Sequence, residues 1–472
     1  MLGLAWGGWW ALTHLRATSE CLIGDNFPIS QAPGQHESPA IAYNSKSNEY
    51  LVVWQNKESP LANWNICARV VSSIGNVPDD PGFCVAEPGD KQFPAVVYNN
   101  TDNNYLVAWQ DARDLGSLGW DIYVQLISGV GKSENGSRPF TEIRLRSGGD
   151  QGSPAIAYNG TDNEYLVVWQ DRWCIVSPPP VTADDIYGRT VSNTGNPKGD
   201  IIPISVATDC KSQDGQQNAA IAYNSEDNQY FVVWQDSRNG NWDIYGQFLS
   251  TTGDLIGGTF PIIEILADQQ FPDIAYNSQD NVYLVVWQDN RYGDWAIHGR
   301  RVSRAGQLYG DFLISRSQGS ERIPAIAYDS KDNEYLVVWQ DGRGEDEDVY
   351  GRRVSNEDEL LAGECPISVL ANDQEVPDVA YNGQSNEYLV VWQDERNGED
   401  NDDIYGQRVS PAPPTQTRIP PYGGSPTPEQ PTQTPTHTPK PLTSTPRPTY
   451  APTFTLTPLM PTLIPLIPTQ VR

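Results

Sequence analysis

The strongest pattern along the chain is an apolar run with a polar stop: residues 50–55 read YLVVWQ. In a strand, Tyr50, Val52 and Trp54 fall on one face and Leu51 and Val53 on the other. Both faces are apolar, so the strand must be covered on both sides. The run returns at 105–110 (YLVAWQ), 165–170, 230–235 (YFVVWQ), 283–288, 335–340 and 388–393. Its Trp stands at 54, 109, 169, 234, 287, 339 and 392, in steps of 55, 60, 65, 53, 52 and 53. Recurrence at this spacing marks a repeat architecture.

Each copy follows a shorter run ending in Tyr-Asn or Tyr-Asp, at 39–44, 94–99, 154–159, 219–224, 272–277, 324–329 and 377–382. About five residues rich in Asn, Asp, Ser and Gly separate the two runs, the turn chemistry of a hairpin. After a loop comes a third run, Asp-Ile-Tyr-Gly in its fullest form, at 121–123, 185–189, 243–247, 348–352 and 403–407. Degenerate copies lie at 65–67 and 296–300. A short fourth run follows at 83–85, 141–145, 201–205, 260–265, 312–315 and 365–368. No helical periodicity accompanies these runs. Four antiparallel strands per repeat, apolar on both faces, predict radially packed blades.

The ends of the array predict closure. The seventh copy stops after its third strand, at Arg408-Val409-Ser410. A spare fourth-type strand, residues 26–30 (NFPIS), precedes the first copy and resembles residues 201–205 (IIPIS). An unpaired edge invites aggregation, so residues 26–30 are expected to complete the last blade. The expected fold is all-β, a seven-bladed β-propeller over residues 26–410. The phrase YLVVWQDxR followed by DIYGQRV, carried by residues 388–394, 396 and 403–409, resembles the repeat of secreted or surface bacterial proteins predicted to be β-propellers. That resemblance implies a fold and a location but no catalytic residue set.

The flanks differ in character. Residues 1–25 open with MLGLAWGGWWAL, the length of a signal-peptide core but without a basic start. A truncated signal peptide and a disordered terminus both remain open. From 411 to 472 Pro and Thr dominate, a composition that predicts a disordered linker or stalk open to O-glycosylation. Its apolar end is broken by Pro458, Pro461, Pro465 and Pro468, and no run in the chain is long enough for a transmembrane helix.

Net charge is −29, and the Pro/Thr-rich segment contributes +3 to it, so the rest carries −32. Such a surface repels nucleic acid and anionic membrane. A monomer that binds no nucleic acid is expected. Six cysteines without a C-x-x-C pair, and four His, argue against zinc and for disulfides in an oxidising compartment. Placement on the blades pairs Cys67 with Cys84 and Cys174 with Cys210, leaving Cys21 and Cys365.

Four constellations bear on function. An Asp-x-Arg…Asp pattern recurs between the second and third strands: Asp111, Arg113 and Asp121; Asp236, Arg238 and Asp243; Asp341, Arg343 and Asp348; Asp394, Arg396 and Asp403. Arg between two carboxylates ties such a loop. Recurrence in most blades makes this structural, since a catalytic group is needed once. Acidic loops offer Asp346, Asp348, Asp400 and Asp402 as oxygen ligands for calcium, though not at the spacing of a calcium loop. The alternative is solvated turns. Trp64, Trp120, Trp242 and Trp295, with Trp173 in a divergent loop, stand just before third strands at one end of the blades. They are either caps between blades or platforms for a sugar ring. Asp273 and Asp378 replace Ala near the expected axis, as a cation site or acid/base pair.

The function expected is therefore a non-catalytic secreted or cell-surface module binding a glycan or protein on the Trp-bearing loop face. The alternatives are a glycosidase- or lyase-type enzyme using acids near the axis, and a structural surface repeat without a ligand.

Overall fold

A computed structural model of the chain describes residues 21–79, 82–85, 88–113, 119–129, 143–145, 149–172, 184–206, 215–398 and 401–411. Residues 1–20, Trp173, Cys174, Cys210, Asp400 and the segment 412–472 therefore lie outside the described residues, with the expectations attached to them. Twenty-eight strands form seven four-stranded antiparallel sheets, and no helix occurs among the described residues. The fold is a seven-bladed β-propeller, as the repeat predicts. The first strands, from Gln35–Asn44 in blade one to Gln374–Asn382 in blade seven, touch one another in a closed cycle around the axis.

The YLVVWQ segments are second strands, and their side chains are buried on both faces. Successive blades bury them mutually. Phe231, Val233 and Ile262 of blade four pack on Tyr283, Val285 and Trp287 of blade five. Val338, Val349 and Ile367 of blade six pack likewise on Tyr388, Val390 and Trp392 of blade seven. Each such side chain removed from water contributes about 1.5–3 kcal/mol, so the repeated strand is core throughout.

Closure works as expected, with more chain than the pattern shows. Leu22–Ser30 pairs antiparallel with Asp403–Val409 and completes blade seven. This strand starts at Leu22 rather than residue 26. A register shift between Ile23 and Phe27, with Gly24 at φ +72°, breaks the period of two that marks a strand. The same kind of bulge hides the first half of the fourth strands of blades three to six, which begin at Pro197, Leu255, Leu308 and Leu360.

Two disulfides are present among the described residues. Cys67 and Cys84 join directly opposed positions on the third and fourth strands of blade one. Cys21 and Cys365 join the start of the closing strand to blade six, 344 residues apart in sequence. The ring is thus latched covalently beside its hydrogen-bonded seam.

Candidate functional site

The channel has two mouths. At one lie the hairpin turns between first and second strands; at the other lie the loops between second and third strands, with the Asp-x-Arg pattern and the Trp residues before the third strands. At the hairpin mouth the repeats agree. Seven Asn residues (48, 103, 163, 228, 281, 333 and 386) adopt φ of 51–56°. Each accepts a hydrogen bond from the Tyr hydroxyl of its own first strand at 2.7–3.1 Å. The first-strand Asn residues reach across to the next blade's turn at five seams, at 2.8–3.2 Å. A recess of about 480 Å³ at this mouth is lined by small apolar side chains and by Tyr43, Tyr98, Tyr328 and Tyr381.

At the loop mouth the first level is architecture. The Asp after each YLVVWQ is fully buried in blades two to seven. Its Oδ2 accepts the indole N–H of the Trp two residues earlier, at 2.7–3.4 Å. In five blades its Oδ1 also accepts the Nε–H of the following Arg, at 2.6–2.9 Å. In four of these, the guanidinium lies 3.6–4.3 Å from the centroid of the third-strand Tyr ring. The result is a sandwich of Trp, Asp, Arg and Tyr, held by charge-assisted bonds and ring stacking.

One expectation needs correction. The Arg does not tie both carboxylates. Arg238, Arg343 and Arg396 pair with Asp236, Asp341 and Asp394. The second Asp takes other donors: Asn241 and Ile265 N–H for Asp243, Asn397 for Asp403, and Arg144 at 3.4 Å for Asp121. The rest of the fork goes to other partners, Ser205 for Arg238 at 3.3 Å, Glu364 for Arg343 at 2.8 Å and Asn26 for Arg396 at 3.2 Å. Blade one lacks the sandwich. Asn56, Glu58 and Cys67 replace Asp, Arg and Tyr, and the Cys67–Cys84 bond ties the strands instead.

The second level is a ring of strained backbone. Ser38, Phe93, Ser153, Asn218, Phe271, Ile323 and Val376 adopt φ of 48–52° at bulges in the seven first strands. Each backbone N–H donates to the Gln side chain of the preceding blade's YLVVWQ, at 3.0–3.4 Å. The conserved-looking Gln of the repeat is thus a strut between blades. What it holds in place differs from blade to blade. Phe93 and Phe271 are 46% and 37% exposed.

The third level is the seams. The residue before each third strand accepts, through its carbonyl, the N–H of the next blade's first strand. Trp64, Trp120, Trp242 and Trp295 occupy this position in blades one, two, four and five, and all four are half-buried. They are seam residues with one side open. In blades three, six and seven the same position is Asp184, Glu347 and Asp402, a pattern legible once the copies are aligned on Asp-Ile-Tyr. Asp184 is fully paired, with Gln217 at 2.7 Å and Arg172 at 3.1 Å.

The other two seam acids face acids. Asp402 meets blade one at this seam, where its carbonyl accepts the N–H of His36, the neighbour of Glu37, at 3.0 Å. Burial, then the Glu37 and Glu395 charges, push the Asp402 carboxyl up to about 7. Burial also raises Glu37, Glu347 and Glu375, the last reinforced by Asp373 and Glu37. Gln55 donates to Glu37 at 3.0 Å, and Gln393 and Gln340 donate to Glu375 at 3.0 and 3.1 Å. Three of the strut glutamines therefore also position two carboxylates.

Of the acids singled out for calcium, Asp400 lies outside the described residues and the others have partners or neighbours of their own. Asp346 accepts Asn372 N–H at 3.0 Å, and Asp348 is raised to about 6 by burial and by Asp341. Among the described residues no group of three or more carboxylate, imidazole or thiol side chains is arranged to hold a metal ion. Asp273 and Asp378 lie on the first strands of blades five and seven, and their oxygens are committed. Asp273 accepts Ile274 and Ile326 N–H at 2.8 and 2.9 Å, and Asp378 accepts Val379 and Ile41 N–H at the same distances. Each staples its first strand to the next one. Burial raises them to about 6 and about 7.

No family model and no curated protein matches the chain. Several solved propellers resemble it in chain path. One is an α-L-arabinofuranosidase of Fusarium graminearum in complex with arabinobiose: 9% identity, 83% of this chain, 98% of that chain, TM-score 0.46. Another is a Penicillium chrysogenum α-L-arabinanase complexed with arabinobiose: 10% identity, 82% and 99% covered, TM-score 0.45. A third is the Dos1 propeller: 8% identity, 82% and 96% covered, TM-score 0.44. Likeness at this level concerns architecture and carries nothing about the site.

Proposed function

We propose that the propeller is a non-catalytic module, secreted or displayed on the cell surface, that binds a glycan at the loop mouth of its channel. The observation that carries this reading is the ring of seven bulge residues. Phe, Ile and Val at positive φ cost roughly 1–3 kcal/mol each, and such strain persists where the exposed side chain has a use. Phe93 and Phe271 expose their rings, and each follows by two residues the first-strand N–H, of Lys91 or Gln269, that bonds the carbonyl of the seam residue Trp64 or Trp242. Gln55 and Gln235 bond the backbone N–H of these two residues, and aromatic rings beside polar side chains are the mixture that stacks on a pyranose face and bonds its hydroxyls. The two disulfides support an oxidising compartment.

A glycan array tests the reading, with wild type, Phe93→Ala/Phe271→Ala and Trp242→Ala/Trp295→Ala side by side. Binding by wild type that falls at least about tenfold in the Phe variant supports it. The Phe rings are exposed, so loss there is separable from unfolding. No bound glycan, or binding indifferent to all four rings, overturns it.

A hydrolytic reading rests on one observation, the meeting of two acids from neighbouring blades, Asp402 and Glu37, at one seam. Two carboxyls held at different protonation are what glycoside cleavage uses. Turnover of a panel of aryl glycosides, abolished by Asp402→Asn, would establish it. Unchanged substrate across the panel would leave the binding reading alone.

A further inference from the structure

We infer that the inner ring of first strands holds a seat for the carboxylate of a small apolar acid, made by the backbone N–H groups of Val96, Ile156 and Ile221 in blades two, three and four. This site is separate from the loop mouth and does not rest on the glycan reading.

The seat is an unfilled copy of one that the chain itself fills twice. Each first strand is the end strand of its sheet and touches the first strands of its neighbours, so its free edge belongs to the inner ring. Ile41, Val96, Ile156, Ile221, Ile274, Ile326 and Val379 share one register on these strands, each opposite the first Val of the second strand. Two side-chain carboxyls take four of their N–H groups. Asp273 bridges Ile274 and, in the next blade, Ile326; Asp378 bridges Val379 and Ile41; all four bonds are 2.8–2.9 Å. The N–H at this register therefore points away from the second strand. Val96, Ile156 and Ile221 present theirs in the same direction, and among the described residues no acceptor meets them. Ala95, Ala155 and Ala220 precede them, too short to do what the two Asp residues do. Exposure follows the same division: the four bridged residues are buried at 7% and the three open ones are half-buried. The open N–H groups are consecutive around the ring, so one carboxylate can span two of them as each Asp does.

The cavity defines the rest of the ligand. The recess of about 480 Å³ at the hairpin mouth reaches this ring at Ile41, Val96 and Val379. Small apolar side chains and four Tyr rings make up most of its wall, with Ser45 and Asn100, and no charged side chain lines it. The Tyr hydroxyls are already bonded to Asn. An apolar body fits such a wall, while paired N–H groups supply the bonds that a carboxylate loses on leaving water. Water is the competing occupant, since N–H groups on a free edge also bond water. Asp273 and Asp378 are the titratable groups of the ring. Burial raises the first to about 6; burial, then the charge of Asp273, raises the second to about 7. In mildly acidic solution most of the charge that would repel a third carboxylate is gone.

Calorimetry of the full chain at about pH 5.5 tests this with two probes of one body, 3-phenylpropionate and the uncharged 3-phenylpropan-1-ol. The expected result is saturable binding of the acid, at least about tenfold tighter than of the alcohol. Ala95→Asp places a carboxyl of the chain on the N–H groups of Val96 and Ile156, as Asp273 and Asp378 are placed on theirs. It is expected to weaken the acid at least about tenfold with no fall in melting temperature. Should that variant unfold, Ala155→Asp closes the same seat from the next blade, on Ile156 and Ile221, and is read in the same way. No binding of the acid at millimolar concentration, equal binding of acid and alcohol, or binding indifferent to the Asp substitution overturns the inference, and the open N–H groups then hold water only. Each of these outcomes leaves the glycan reading of the loop mouth as it stands.

Discussion

The two mouths of the channel each carry seven non-glycine residues at positive φ, and the two rings obey opposite rules. At the hairpin mouth all seven are Asn, a residue that tolerates the left-handed region. Each closes the same bond with a Tyr hydroxyl. At the loop mouth the seven are Ser, Phe, Ser, Asn, Phe, Ile and Val. The backbone there is as uniform as at the other end, because the Gln struts impose it, but the side chains differ in size and polarity. Uniform chemistry in a uniform position is what closure of a ring requires. On the proposed binding reading, variable and strained chemistry in a uniform position serves a ligand.

That contrast can be broken at several points. The largest effect is expected below the loop mouth. Asp341→Ala strands the Trp339 indole and leaves the Arg343 guanidinium with Glu364 as its nearest carboxylate. It should cost about 3–5 kcal/mol by urea denaturation, and a loss under about 1 kcal/mol would mean the sandwich is decorative. At the hairpin mouth, Asn277→Ala removes the side-chain caps of its own turn and a bond to Asn333 across the seam. A loss of about 1–3 kcal/mol is expected by the same method. At the loop mouth the sign should reverse. Ile323→Asn relieves strain without touching the backbone bond to Gln288, and a gain of roughly 1 kcal/mol is expected. A loss instead would show that Ile323 is packed for stability.

The smallest effect is in pH. Asp273, Asp378 and Asp402 all have carboxyls raised by burial, to about 6, about 7 and about 7. A raised carboxyl contributes stability that is fully present below its unfolded value, near pH 4, and is lost as pH rises through the folded value. The melting temperature in low salt should therefore fall between about pH 5 and pH 8. A rise over that window would mean that the paired carboxylates of the sandwiches dominate.

The fold was legible because the same two strands recur seven times and because one fourth-type strand is misplaced to the N-terminus. The Cys67–Cys84 pair followed from blade geometry, and Cys21–Cys365 only as what remained. The loop-mouth ring was not legible. Phe93, Phe271, Ile323 and Val376 each precede a proline, a setting that normally favours extended backbone, and their residue types argue against positive φ. Only the Gln strut from the preceding blade overrides both preferences, and such a contact has no local sequence signal. The seam acids were readable in principle. Glu347 and Asp402 stand where other copies have Trp, but each reads locally as one more acid in an acidic loop. Their meaning depends on Glu375 and Glu37, which the ring brings from the next blade.

The most direct measurement makes the loop mouth imitate the hairpin mouth. Changing Ser38, Phe93, Ser153, Phe271, Ile323 and Val376 to Asn leaves Asn218 as it is and gives both rings one residue type. A glycan array and a urea titration then read the same protein. The account predicts a propeller at least as stable as wild type that has lost its glycan binding. A variant that keeps the wild-type binding profile would contradict it, because the variable side chains at the strained positions would then have no part in recognition.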